Sequence, residues 1–173
     1  LIPYFAWCHR GSGNMKVWLP QDVKAARPAM PATLASTAEV ASSSPSPALR
    51  SVNDGLVPAD GNDRSIPYFH WWPKQGTTEW VSYTFPEPKR IESATVYWYD
   101  DQPWGGCKVP ESWNIEYRTA DGKWLSVPEA DGYPVKKGSA CTVNFTPVTA
   151  NAVRLHVKQP EKFSCGLFEW TVK

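Results

Sequence analysis

From about residue 48 to residue 173 the chain repeats one pattern: short stretches in which apolar and polar side chains alternate, cut apart by turn-forming clusters. Val81, Tyr83 and Phe85 share one face of residues 80–85, and Ala94, Val96 and Trp98 share one face of residues 94–99. The same period of two recurs in residues 113–117, 141–145, 153–157 and 167–172, where Phe168, Trp170 and Val172 alternate with Leu167, Glu169 and Thr171. A side-chain period of two is that of a strand with one buried face, and it is incompatible with the 3.6-residue period of a helix. Ala120-Asp121-Gly122 and Ala130-Asp131-Gly132 supply the turns between them. Only residues 48–52 read as a helical turn. Many short strands without long helices between them predict an all-β fold, an antiparallel β-sandwich of jelly-roll type.

The upstream sequence differs in kind. Residues 1–20 read as a β-hairpin, an aromatic run and a second strand around Gly11-Ser12-Gly13-Asn14. An isolated hairpin is marginal in water, so it must dock on something. Residues 21–47 carry Pro28, Pro31, Pro45 and Pro47 among Ala, Ser and Thr, the composition of a semi-extended linker with one possible strand at residues 34–40. The predicted organisation is therefore a fragment of a preceding sandwich (1–20), a linker (21–47) and a β-sandwich domain (48–173). A start at Leu1 without Met suggests a piece of a longer chain.

Eighteen Lys and Arg against seventeen Asp and Glu leave a net charge of +1, which offers no footprint for nucleic acid or an anionic membrane. No apolar run reaches the roughly 20 residues that span a bilayer. Cys8, Cys107, Cys141 and Cys165 occur singly, without zinc-ligand spacing; buried free thiols are the expected state, and a Cys107–Cys165 disulfide is the alternative in an oxidising compartment. Ten Trp are more than a core of this size needs. A flat aromatic ring is also the surface on which the C–H face of a sugar stacks, so some of the ten are expected to serve a neutral carbohydrate partner.

The order Asn53-Asp54-Gly55, Trp71-Trp72, Thr78-Glu79-Trp80-Val81-Ser82-Tyr83, Pro110-Glu111-Ser112-Trp113-Asn114-Ile115-Glu116-Tyr117, Asp121-Gly122-Lys123-Trp124 and Glu169-Trp170 resembles the coagulation-factor type C, or discoidin, family. That resemblance implies a galactose-binding-like jelly roll and a place among the carbohydrate-binding modules of bacterial glycosidases. Ile2-Pro3-Tyr4-Phe5-Ala6-Trp7, Arg10-Gly11 and Val17-Trp18-Leu19-Pro20 resemble the C-terminal end of the β-L-arabinofuranosidase-like glycosidases. Together the two imply a non-catalytic accessory domain of a secreted or periplasmic glycosidase. The catalytic domain of the same parent chain would be its second partner. A structural module that packs on that catalytic domain without binding sugar is the rival expectation.

Catalysis within the chain has weak support. Asp100-Asp101 with Glu79 could form the carboxylate pair of a glycoside hydrolase, yet adjacent Asp residues at a strand end are more often turn formers. His9, His70 and His156 lie in unrelated segments. The discoidin resemblance implies a structural Ca2+ at Asp54 and Glu169, with Asp63 in the long loop 56–65 as a further oxygen donor; an Asx turn at Asp54 and a solvent-facing Glu169 is the alternative. Sugar contacts are expected from two loop stretches: His70 and Trp72 in one, Asp101, Trp104 and Lys108 in the other, with Phe163 on a neighbouring rim. Trp71, Trp80, Trp98, Trp113, Trp124 and Trp170 are assigned to the core.

Overall fold

The computed structural model describes residues 31–173. The expected N-terminal hairpin and the first part of the linker lie outside the described residues. Seven strands follow in order: β1 (Glu39–Ser42), β2 (Phe69–His70), β3 (Thr78–Tyr99), β4 (Ser112–Arg118), β5 (Trp124–Ser126), β6 (Cys141–Lys158) and β7 (Gly166–Val172). Among the described residues the helical elements are two 3-10 turns, Leu34–Thr37 and Leu49–Asn53. The fold is the antiparallel β-sandwich that the alternation predicts.

Two long strands build both layers. Residues 78–84 of β3 pair with residues 152–158 of β6, whereas residues 93–96 of β3 pair with residues 141–144 of β6. Register shifts between Thr84 and Lys89 and between Ile91 and Ser93 mark the corner, where bulged strands bend and pass from one layer to the other. One layer is then β1, the first half of β3, the second half of β6, β4 and β5; the other is the first half of β6, the second half of β3, β7 and β2. Between them lie Val81, Tyr83, Phe85, Ala94, Val96 and Trp98 from β3, with Trp113, Ile115, Leu155 and Trp170 opposite. The Tyr83 and Trp170 rings stack at 4.1 Å. The buried Tyr83 hydroxyl lies 2.7 Å from the Trp170 carbonyl and 2.9 Å from that of Val52.

Three expectations are corrected. The sandwich does not begin at residue 48, because β1 pairs with β3 and Ala35 and Ala38 belong to the core. The second half of the expected linker is thus part of the domain: small side chains let it lie close, and Ser43 accepts the indole N–H of Trp71 (3.1 Å) and the backbone N–H of Trp80 (3.1 Å). Trp80 and Trp124 are half-buried rather than core. Trp80 occupies an outward position beside Val81, and Trp124 sits on a short edge strand with the Arg154 guanidinium 4.3 Å from its ring centroid. In β7 the simple alternation fails, since all seven residues are buried. A register shift opposite Tyr97 and Trp98 puts Leu167 into the main core. Phe168 joins a second apolar cluster with Ile66, Tyr99 and Cys107.

Candidate functional site

β2 sets the site by strand periodicity. Phe69 and Trp71 point into the core, the latter only 1% exposed, so Tyr68, His70 and Trp72 fall on the opposite side. Pairing of Phe69 with Leu167 and His70 with Gly166, and the bond from Trp71 N–H to the Cys165 carbonyl (3.0 Å), fix that register. Tyr68 stacks on Tyr99 at 4.0 Å, and the Arg64 guanidinium stands 5.6 Å and 5.4 Å from the two ring centroids. Trp72 remains 50% exposed.

The facing wall is the loop after β3. Asp101 accepts the backbone N–H of Cys107 (2.8 Å) and the hydroxyl of Tyr99 (3.1 Å), and pairs with Arg64 at 3.6 Å. Its main-chain carbonyl accepts the N–H groups of Trp104 (3.0 Å) and Gly105 (3.1 Å). The Gln102 side chain closes the same turn onto the carbonyls of Gly105 (2.7 Å) and Cys107 (3.1 Å). Arg64, Tyr68, His70, Trp72 and Asp101 thereby surround an open cleft of about 190 Å³. Tyr99, Gly106 and Cys107 complete its lining.

The chemistry on offer is recognition of hydroxyls. Burial holds the His70 imidazole below its ordinary pKa, against the opposing pull of the Asp101 carboxylate, so near neutral pH the ring keeps one donor and one acceptor nitrogen. Arg64 contributes planar donors, Asp101 an acceptor and Trp72 an apolar face. Burial raises the Cys107 thiol to about 12, so it stays protonated and unreactive. Cys107, Cys141 and Cys165 are all buried free thiols.

Of the six expected sugar contacts, the structure brings together His70, Trp72 and Asp101. Trp104 is 90% exposed on the same loop but outside the cleft lining. Lys108 and Phe163 pair with each other instead, the ammonium 5.4 Å from the ring centroid. Arg64, Tyr68 and Tyr99 were not anticipated. Tyr68 was legible as the residue two before His70 on the same strand face; nothing in the sequence of the 56–65 loop singled out Arg64.

The acidic groups are tied into the scaffold. Asp100 accepts the N–H groups of Gln102 (3.0 Å) and Val109 (3.0 Å) and the ammonium of Lys137 (2.8 Å). Glu79 accepts from Lys74 (2.8 Å), Thr77 (2.8 Å) and Ser43.

Asp54 and Glu169 meet. Glu169 is buried in β7 and accepts the Gly55 N–H (2.9 Å), while Asp54 accepts the Leu56 N–H (2.9 Å) in an Asx turn. Burial foremost, then the adjacent Asp54 carboxylate with which it shares a hydrogen bond, pushes the Glu169 carboxyl up to about 8. Two carboxyls in contact need a proton or a cation between them. That donor chemistry fits a hard divalent ion such as Ca2+, which Asp54 and Glu169 would hold. Among the described residues no three of His, Cys, Asp and Glu gather as a metal site. Asp63 therefore does not join the pair, and its carboxylate closes its own loop on Ala59 N–H (2.8 Å) and Ser65 N–H (3.0 Å).

Comparison with known proteins gives two family matches. Residues 59–155 match the model described as an F5/F8 type C, NedA-like, galactose-binding domain, and residues 1–20 match the glycoside hydrolase family 127 C-terminal domain. An exo-beta-1,6-galactobiohydrolase of Bifidobacterium longum subsp. longum is 30% identical over 112 residues, 56% of this chain and 7% of that protein. The chain thus spans a small fraction of the curated relative it matches. Among solved structures, the Streptococcus pneumoniae beta-galactosidase BgaA aligns with TM-score 0.67 at 17% identity, over 79% of this chain and 91% of that one. The family 32 carbohydrate-binding module of C. perfringens NanJ, solved with galactose, aligns with TM-score 0.58 at 15% identity, over 82% and 97%. At such identities these two establish likeness of fold.

Proposed function

Because the chain belongs to the NedA-like galactose-binding family and carries a glycoside hydrolase family 127 C-terminal match at residues 1–20, we propose that it is the non-catalytic carbohydrate-binding domain of a glycosidase, holding a neutral galactose- or arabinose-type sugar in the cleft beside Trp72. The observation that carries the reading is the convergence, on one side of β2 and the facing loop, of a half-exposed indole with Arg64, His70 and Asp101. A sugar ring would lie on Trp72 while its hydroxyls meet the guanidinium, the imidazole and the carboxylate. The parent enzyme is of the β-L-arabinofuranosidase type or a relative of it and acts outside the cytoplasm. Ca2+ between Asp54 and Glu169 is a structural part of the same proposal.

Titration of the domain with galactose, L-arabinose and β-1,6-linked galactobiose tests it. The last probe is chosen because the Bifidobacterium relative is named for that linkage. Saturable binding by one of them, lost in Trp72→Ala at unchanged stability, is the expected outcome. The alternative, a domain that only packs on the catalytic part, requires that none binds.

A further inference from the structure

Trp104 is the most exposed large apolar side chain among the described residues, at 90%, yet its backbone is firmly held. Its own N–H and that of Gly105 both bond to the Asp101 carbonyl, at 3.0 Å and 3.1 Å. Lys137 bonds to the Gln102 carbonyl (3.0 Å) and to Asp100 (2.8 Å), so the base of the turn is anchored from another segment. Gly105 lets the turn close: a β-carbon there would lie 1.9 Å from the Asp101 carboxylate. The turn that holds the indole out is therefore ordered before any ligand arrives, and only the ring's own rotamers remain to be fixed on binding.

Its surroundings indicate what that ligand is. A protein-docking surface is a contiguous apolar patch of several hundred Å². The exposed large hydrophobic residues among those described are only Trp72, Trp104 and Leu125, the last in β5. Trp104 has Pro103 and Gly105 as chain neighbours, and two residues further on Gly106 lies beneath the Trp72 ring. One loop therefore carries a bare ring and the floor of the cleft.

We propose that Trp104 is a second sugar platform, taking the residue linked to the one held at Trp72, so that the domain reads an oligosaccharide rather than a single terminal sugar. The proposal rests on the cleft being a sugar site. Division of labour follows: the cleft groups select the terminal residue, while the open, polar-poor ring at Trp104 adds stacking affinity with little regard to hydroxyl configuration.

The experiment is calorimetric titration of the protein, Trp104→Ala and Trp72→Ala with galactose, β-1,6-galactobiose and β-1,6-galactotriose, alongside thermal melts. The parent should bind an oligosaccharide about tenfold more tightly than galactose, a gain of about 1.4 kcal/mol. Trp104→Ala should erase that gain and leave galactose binding and the melt unchanged; Trp72→Ala should weaken all three sugars. A parent that binds galactose but gains nothing from the longer chains overturns the second platform alone. So does a gain that survives Trp104→Ala, or a Trp104→Ala protein that loses galactose equally. If the parent binds no sugar, the cleft reading and the platform fall together.

Discussion

The Trp72 indole lies so close over Gly106 that a β-carbon on Gly106 would come within 2.3 Å of the ring. The glycine thus fixes the depth at which the half-exposed ring rests in the cleft. Gly106→Ala should push Trp72 outward and weaken sugar binding at least tenfold. Because the displaced atoms are the far end of a side chain that can swing into solvent, the melting temperature should fall little. Titration and a melt on the one variant check both halves; equal affinity would show that the ring's seat is irrelevant to binding.

His70 gives the site a pH dependence with a defined sign. Its folded-state pKa is lowered from 6.5 by burial, the first cause, with Asp101 opposing. Protonation is therefore resisted in the fold, and the neutral ring is the major form at pH 6.5. Sugar affinity should be highest at about pH 8 and decline in acidic buffer, as the acceptor nitrogen is lost. Titration in His70→Gln should remove the acid limb; an unchanged limb would assign it to another group.

Glu169 acts in the opposite direction. A carboxyl raised from 4.5 to about 8 contributes stability that is complete below pH 4.5 and lost as pH rises toward 8. The loss should be on the order of a few kcal/mol. Urea melts from pH 4.5 to 9 should show it, and Glu169→Gln should flatten the curve. If Ca2+ takes the place of the proton, adding it should raise the melting temperature more at pH 8 than at pH 5, and EDTA should reverse the effect, because an ion bound only by the folded state stabilises it by mass action. Identical melts at pH 8 with Ca2+ and with EDTA would remove the metal.

The domain boundary is testable by deletion. A protein that starts at Ala48 lacks β1, exposes the edge of β3 and strips Trp71 of its partner Ser43. It should melt well below one that starts at Thr33, by roughly 3–4 °C for each kcal/mol lost. Equal melting temperatures would return residues 33–47 to the linker.

The strands were legible because burial of one face imposes a period of two, and residues 80–85, 113–117 and 153–157 obey it. β7 was misread because a bulge opposite Tyr97 breaks the phase, and a bulge leaves no mark on residue type alone. The strand read at residues 34–40 overlaps β1 only at its end, because Leu34–Thr37 form a 3-10 turn and the strand is Glu39–Ser42; a composition of Ala, Ser and Pro serves an edge strand and a linker equally well. In the cleft, His70, Trp72 and Asp101 were found from residue chemistry. Arg64 depends on how a long loop folds back over Tyr68 and Tyr99, which no local pattern encodes.

The continuity of β3 and β6 through both layers bears on the order in which the molecule assembles. Thr78 pairs with Lys158 and Val96 with Cys141, partners far apart along the chain, so neither layer can close before most of the sequence is present. β7, after every other described strand, fills the space between β2 and β3. Such pairing belongs to the slow class of topologies, folding in milliseconds to seconds. During synthesis the long strands would travel unpaired, and the seven-residue β7 would act as the latch that commits the domain to its sandwich.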